Sequence, residues 1–283
     1  MINKITIIGV GLIGGSLAKA IKENGLAKVV FGFGRNSDRL KMAQKTNVID
    51  QYSTTLEEAI NESDIVVIAT PVGSFKEILS EIKPFLTGKI IITDVGSTKT
   101  NIVSMVNQTL GEYSNCFIPA HPIAGKEKSG FEASEPNLFI NKKVIITPLE
   151  ANSSDSIKLV QKMWENIGAD VDFMSPESHD ELLGMTSHLP HMLAFSLVNY
   201  LISKNPSASI YAAGGFKDFS RIASGDNVMW RDICIQNKDQ IISHIKGYQK
   251  TLDSLVEAIE NENRDKLDLL FTNAKKTRDS WVG

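Results

Sequence analysis

The run KITIIGV, residues 4–10, leads into glycines at positions 9, 11 and 14, and the chain continues as SLAKAIKENG. A short β-branched run reads as a buried strand, and the stretch after the glycines has the composition of a helix. A strand that turns into a helix through G-x-G-x-x-G has few folds open to it. Gly9 permits the tight turn, Gly11 lets backbone approach a diphosphate, and Gly14 lets the helix pack closely on the strand. The helix N-terminus then offers amide donors to phosphate. Taken alone, the motif is also what a plain glycine-rich turn looks like. Here a second strand, KVVFGF (28–33), comes where the unit requires it, so dinucleotide binding is expected, with Gly9, Gly11, Leu12, Ile13 and Gly14 at the cofactor.

The pattern repeats along the first half. DIVVIAT (64–70), KIIITDV (89–95), NCFIPA (115–120) and KVIITP (143–148) read as further buried strands, separated by helix-prone stretches such as SFKEILSEIKPFL. Continuous apolar strands alternating with helices imply a mostly parallel sheet covered on both faces. After about residue 175 the β runs stop and the pattern becomes helical to the end. The expected fold is therefore α/β, then all-α: a Rossmann-type dinucleotide-binding domain over residues 1–172 and a helical domain over 173–283. The stretch HMLAFSLVNYLI is apolar around most of a helix, which fits burial either in a subunit interface or in a monomer core. A net charge of -3 without Lys/Arg runs argues against nucleic acid as a partner. No segment approaches the ~20 apolar residues of a membrane span. The first ten residues lack a signal-peptide cleavage pattern. Cys116 and Cys234 stand far apart, and a reduced, cytoplasmic setting is the simple expectation.

The choice of cofactor should be made at the end of the second strand, where an Asp or Glu would bind a ribose 2′-hydroxyl. Gly34 stands there, followed by Arg35, Asn36 and Ser37. Arg35 is suited to hold a 2′-phosphate, although Asp38 lies close by. NADP is expected, with NAD left open.

Four polar clusters remain. In DVGSTK (94–99), Ser97 either sits beside the nicotinamide or caps the following helix. In HPIAGKEKSG (121–130), His121 should emerge at a strand C-terminus, facing the ligand crevice as a proton acceptor, with Glu127 among the inward charges. In SHLPHMLAF, His188 and His191 bracket Pro190, which should kink or restart a helix. Such a pair suits a substrate-facing helix better than a metal, and no metal is expected. In GFKDFSRIASGDNVMWRDI (215–233), Arg221 is placed either to grip a carboxylate bidentately or to join surface ion pairs.

GVGLIGGS, DVGSTK, HPIAGKEKSG, SHLPHMLAF and DFSRIASGDNVMWRDI together resemble, in order and spacing, the TyrA family, the prephenate and arogenate dehydrogenases of tyrosine biosynthesis. The resemblance covers nearly the whole chain. It implies oxidative decarboxylation of a cyclohexadienol by a minimal, monofunctional form, with no fused chorismate mutase or ACT domain. By similarity, His121 takes the ring hydroxyl proton, Ser97 orients it, Arg221 pairs with a substrate carboxylate and His191 contacts the side-chain end. His179, Glu127 and Trp230 correspond to residues that shape the pocket, and the helical domain to a homodimer interface. Gly34–Arg35 departs from relatives with an Asp there, and Lys126 departs from a small polar residue. Prephenate is the expected substrate. The alternatives are arogenate, or a non-catalytic NADP-binding sensor that keeps only the glycine loop. Related β-hydroxyacid and imine dehydrogenases usually place a catalytic Lys or Asp where this chain has SHLPH.

Overall fold

The computed structural model describes residues 2–126 and 128–282. Six strands form one parallel sheet: β1 (Ile2–Ile8), β2 (Ala27–Phe33), β3 (Gln51–Ser53), β4 (Ile65–Ile68), β5 (Ile91–Asp94) and β6 (Phe117–Ile118). Their spatial order is β3-β2-β1-β4-β5-β6. Register sets Ile5–Ile8 against Ile65–Ile68, and the alternation of the pleat sorts their side chains. Ile5, Ile7, Ile65 and Val67 enter one core, and Ile8, Val66 and Ile68 enter the other. Each fully buried branched side chain stabilises the fold by about 1.5–3 kcal/mol. Strands covered on both faces have no solvent side to keep polar, which is why these runs are continuously apolar.

Helices α1 (Leu12–Glu23) and α2 (Ser37–Lys45) supply the first core. Helices α3 (Leu56–Ile60), α4 (Phe75–Ile82) and α5 (Thr100–Leu110) supply the second. The strand order turns back between β1 and β4, so the carboxyl ends of these two strands open the crevice in which such sheets bind ligands.

The run NCFIPA is not one strand. Phe117–Ile118 pair with β5, and after Pro119 the chain enters a second, three-stranded sheet. There β7 (Ala120–Pro122) runs antiparallel to β8 (Lys143–Ile146), which pairs in parallel with β9 (Asp170–Phe173). Proline has no amide to give a ladder, which suits it to the point where the chain leaves one sheet for another. His121 therefore lies inside β7, opposite Ile145, and not at the exit of a strand of the large sheet. Helix α6 (Ser154–Glu165) joins β8 to β9 and packs Val160, Met163 and Trp164 into the first core.

Beyond β9 every element is helical. Helix α7 (Pro176–Leu183) passes through one π-turn, Gly184–His188, into α8 (Leu189–Lys204). Pro190 causes no break. It sits in the first turn of α8, where a missing amide costs little. Then come α9 (Gly214–Ser220), α10 (Asn227–Gln236), α11 (Lys238–Glu260) and α12 (Arg264–Val282). The chain packs as two compact units that divide between Lys238 and Asp239.

Candidate active site

The glycine turn is built as the spacing demands. Gly9 holds φ +98°, and a Cβ there would lie 2.7 Å from the Ala69 carbonyl oxygen. A Cβ on Gly14 would lie 2.2 Å from the Gly9 carbonyl oxygen. Nothing lies within 4 Å of a Cβ placed on Gly11, and no side chain caps the N-terminus of α1 at this residue. Open space over uncapped helix amides is the cradle a diphosphate needs, so these residues fit a dinucleotide. Leu12 and Ile13, in the first turn, line a cavity of about 1240 Å³ that Ser97, His121, His191 and Arg221 also line. At the end of β2, Arg35 is exposed and lies outside that cavity's lining, while Asn36 caps α2 by accepting from the Arg39 amide at 3.0 Å. Arg39 pairs with Glu132 at 3.1 Å.

His121 is nearly buried, and its Nδ1 lies 2.8 Å from Nε2 of His179. Nδ1 of His179 lies 2.8 Å from Oδ1 of Asp180. Backbone amides donate to the same carboxylate: Lys99 to Oδ1 at 2.8 Å and Thr100 to Oδ2 at 2.9 Å. Asp180 thus caps the N-terminus of α5 from across the crevice, a place that Ser97 does not take. Burial pushes the Asp180 carboxyl up, but the hydrogen bonds from His179 and Thr100 outweigh it and hold the group below its usual range. Burial keeps His179 below its usual value despite Asp180, and burial with the neighbouring His179, Lys99 and His188 pulls His121 well below 6.5.

These directions assign the protons. An acceptor carboxylate makes His179 Nδ1 the donor, so its Nε2 accepts and His121 Nδ1 carries the hydrogen. His121 Nε2 is left with a lone pair. This is the tautomer a general base requires.

Beneath the relay, the Lys99 ammonium pairs with Asp94 at 2.5 Å, both side chains fully buried. Burial pulls Lys99 down and pushes Asp94 up, each opposed by the other's charge. Asp94 also accepts from the amides of Gly96 and Ala120, so it ties the Ser97 loop to the strand of His121.

The helical wall is organised by the π-turn, which is frequent at functional sites. His191 donates from Nδ1 to the Ser187 carbonyl at 2.8 Å and stacks on Trp230 at 3.8 Å between centroids. Burial lowers its pKa, and Arg221 adds to this against the Ser187 bond. Gly225 makes room for the indole, since a Cβ there would lie 2.4 Å from Trp230 Nε1.

The structure therefore gathers Leu12, Ile13, Ser97, His121, His191, Arg221 and Trp230 around one cavity. His179 is fully buried behind His121 and not on the cavity wall. No hydrogen bond joins Ser97 to His121; the ring is held by His179. Lys126 pairs with Glu135, and Glu127 lies outside the described residues. The sequence pattern did not reveal the use of Asp180 or of the Asp94–Lys99 pair. The adjacency of Asp180 to His179 and the i, i+5 spacing of Asp94 and Lys99 were the only signals it held. Among the described residues no group of three or more His, Cys, Asp or Glu is placed to hold a metal.

Residues 17–173 match the prephenate dehydrogenase nucleotide-binding domain family, and residues 175–273 match the prephenate dehydrogenase dimerization domain family. The prephenate dehydrogenase of Bacillus subtilis is 36% identical over 283 residues, 99% of this chain and 76% of its own length. A cyclohexadienyl dehydrogenase of Zymomonas mobilis is 31% identical, across 97% of this chain and 94% of its own. The solved prephenate dehydrogenase of A. aeolicus, in complex with hydroxyphenyl propionate and NAD+, superposes with a TM-score of 0.93 at 38% identity, covering 99% of this chain and 98% of that one. A parallel-sheet nucleotide-binding domain followed by a helical dimerization domain is what these matches share with the structure, and the chain belongs to the prephenate dehydrogenase family.

Proposed function

We infer that this chain is a nicotinamide-dependent dehydrogenase that oxidatively decarboxylates prephenate to 4-hydroxyphenylpyruvate, a step of tyrosine biosynthesis. The observation that carries the reading is the His121–His179–Asp180 relay, which leaves the Nε2 lone pair free on a histidine that lines the same cavity as Leu12 and Ile13 of α1. When bound, the nicotinamide supplies the hydride acceptor for the ring carbon that bears the hydroxyl. His121 Nε2 accepts the hydroxyl proton as the carbonyl develops. Arg221 grips a substrate carboxylate bidentately, and Ser97 fixes the hydroxyl beside the nicotinamide. His191, stiffened against Trp230, meets the side-chain end. As the ring carboxylate departs as carbon dioxide, the ring becomes aromatic.

The glycine turn, with Gly9, Gly11, Leu12, Ile13 and Gly14, receives the diphosphate. NADP is the proposed cofactor, because Gly34 and not a carboxylate follows β2 and the neighbouring Arg35 is exposed. Residues 1–172 are assigned to the cofactor, and residues 173–283 to substrate and to a homodimer. Support for the homodimer comes from α8, where Ala194 is the one fully buried residue of sixteen while Tyr200 and Ile202 lie exposed. No described helix is long and apolar enough to cross a membrane, and a cytoplasmic setting suits two free cysteines.

The test is reduced-cofactor absorbance with prephenate and arogenate crossed against NAD and NADP, for the native chain and His121→Asn. Turnover on prephenate is expected, falling about 10²–10⁴-fold in the variant with cofactor affinity unchanged. Near-native turnover in His121→Asn removes the general base assignment, and a strong preference for NAD removes the role given to Arg35.

A further inference from the structure

A π-turn is a rare register within a helix, and Ser187 and His188 of the one at Gly184–His188 line the cavity. What braces this turn comes from another helix end. Asn237, between α10 and α11, is 5% exposed. Its Nδ2 lies 2.8 Å from the Asp180 carbonyl oxygen and 3.1 Å from Nδ1 of His188. A carbonyl oxygen can only accept, so the amide nitrogen is the atom that faces it, and the second hydrogen goes to His188. One NH2 group therefore bonds residue 180, before the π-turn, and residue 188, at its end.

The Asp180 carbonyl stands where the register changes, since the Gly184 amide is shared between it and the Glu181 carbonyl. A carbonyl has two lone pairs, and Asn237 takes up the remaining one. Asn237 is itself fixed. Its backbone amide closes α10 on the Ile233 carbonyl at 2.9 Å, and Asn101 of α5 donates to the neighbouring Gln236 carbonyl. The Lys99 and Thr100 amides, at the start of α5, hold the Asp180 carboxylate, so the bonds close a ring through α5, α7 and α10. Asp180 is gripped in that ring by side chain and main chain together. The other end of the turn carries Ser187, whose carbonyl takes the His191 hydrogen. Burial lowers the His188 pKa to about 4, so Nδ1 keeps its lone pair for Asn237 across the working range.

We infer that Asn237 is a positioning residue, a brace across the π-turn whose two amide hydrogens fix the relay carboxylate on one side and the His191 wall on the other. Its kinetic consequence rests on the dehydrogenase reading, whereas the bonds stand without it. Removing the two hydrogens leaves buried acceptors unpaired, and the last turn of α7 is then free to shift from His179.

Asn237→Leu separates the brace from core filling, because leucine keeps the volume and gives no hydrogen. On prephenate, kcat should fall about 10–100-fold, the scale of a displacement near 1 Å, with cofactor Kd unchanged. In an Asp180→Ala background the same change should add little to the loss in kcat, because both act through one carboxylate. Native-like kcat in Asn237→Leu, losses that multiply fully with Asp180→Ala, or a cofactor Kd that rises in step with the fall in kcat overturn the brace.

Amide hydrogen exchange reads the same bonds without turnover. Protection of the Lys99 and Thr100 amides and of residues 184–188 should drop in Asn237→Leu, and unchanged protection overturns the brace whatever the substrate proves to be. Lost protection, in a protein whose native form leaves prephenate untouched, would remove the dehydrogenase reading and keep the brace. Should Asn237→Leu fail to fold, Asn237→Asp at pH 8.5 keeps the shape and sets a carboxylate against the Asp180 carbonyl. It must lower the same protection, and unchanged protection there overturns the brace equally.

Discussion

At the scale of single residues, the site depends on histidines kept neutral by burial. His121, His179, His188 and His191 are all pulled below the ordinary imidazole value. A base with a folded pKa below its unfolded one takes up a proton on unfolding, so acid favours the unfolded chain. Stability should be level above pH 7 and fall as pH drops through 6.5, His188 contributing down to about pH 4. The slope from a single buried histidine is about 1.4 kcal/mol per pH unit. Thermal melts between pH 7.5 and 5 should show Tm declining toward acid, and His188→Gln should flatten the decline; a level Tm in the native chain would contradict these burial effects. His121 stood out because it closes an apolar run in a chain with a dinucleotide motif, although pairing puts it inside β7 and not at the strand exit expected. Asp180 did not, because a carboxylate that caps a helix eighty residues upstream leaves no mark in its own neighbourhood.

The elements explain which parts of the fold could be read. β1 and its glycine turn were legible because local sterics alone decide them. Here the second and third glycines of the motif part company. Gly14→Ala must push against the Gly9 carbonyl and should cost stability, whereas Gly11→Ala meets nothing in the protein and should fold normally. Its methyl enters the phosphate path, so cofactor Kd should rise while Tm stays. Melts and cofactor titrations on the two variants check this, and a normal Kd for Gly11→Ala would remove the diphosphate from that place. β3 and β9 escaped because runs of three or four residues, QYS and DVDF, are too short and too polar to carry an apolar period. The split of NCFIPA escaped because Pro119 reads as the end of a strand, and only pairing with β8 shows that a second strand begins. Pro190 was expected to kink or restart a helix, and it stands in the first turn of α8, which begins after the π-turn.

At the scale of the whole molecule, the alternation of strands and helices was enough to set the order of domains, because the two cores need those runs in that order. What covers the exposed apolar side chains was not decided by periodicity. In the unit beyond Lys238, α11 exposes Leu252, Val256 and Ile259 along one side. Contiguous exposed apolar surface of this kind marks an interaction site, and the family's dimerization domain extends over it. Val256→Glu with Ile259→Glu should convert a dimer to a monomer in sedimentation; an unchanged mass would place the interface elsewhere.

The relay behind His121 also has an end. It stops at a carboxylate 2% exposed and held by two backbone amides, so a proton taken from the ring oxygen finds no passage inward to solvent. The substrate has no need of one. Once carbon dioxide has gone, the same oxygen becomes a phenolate and takes a proton back, and the whole conversion neither releases nor consumes one. On the role proposed for His121, the ring lends and recovers a single proton within a closed circuit, and turnover should be indifferent to buffer concentration at constant ionic strength. A rate that climbs with added buffer would show that the circuit is open.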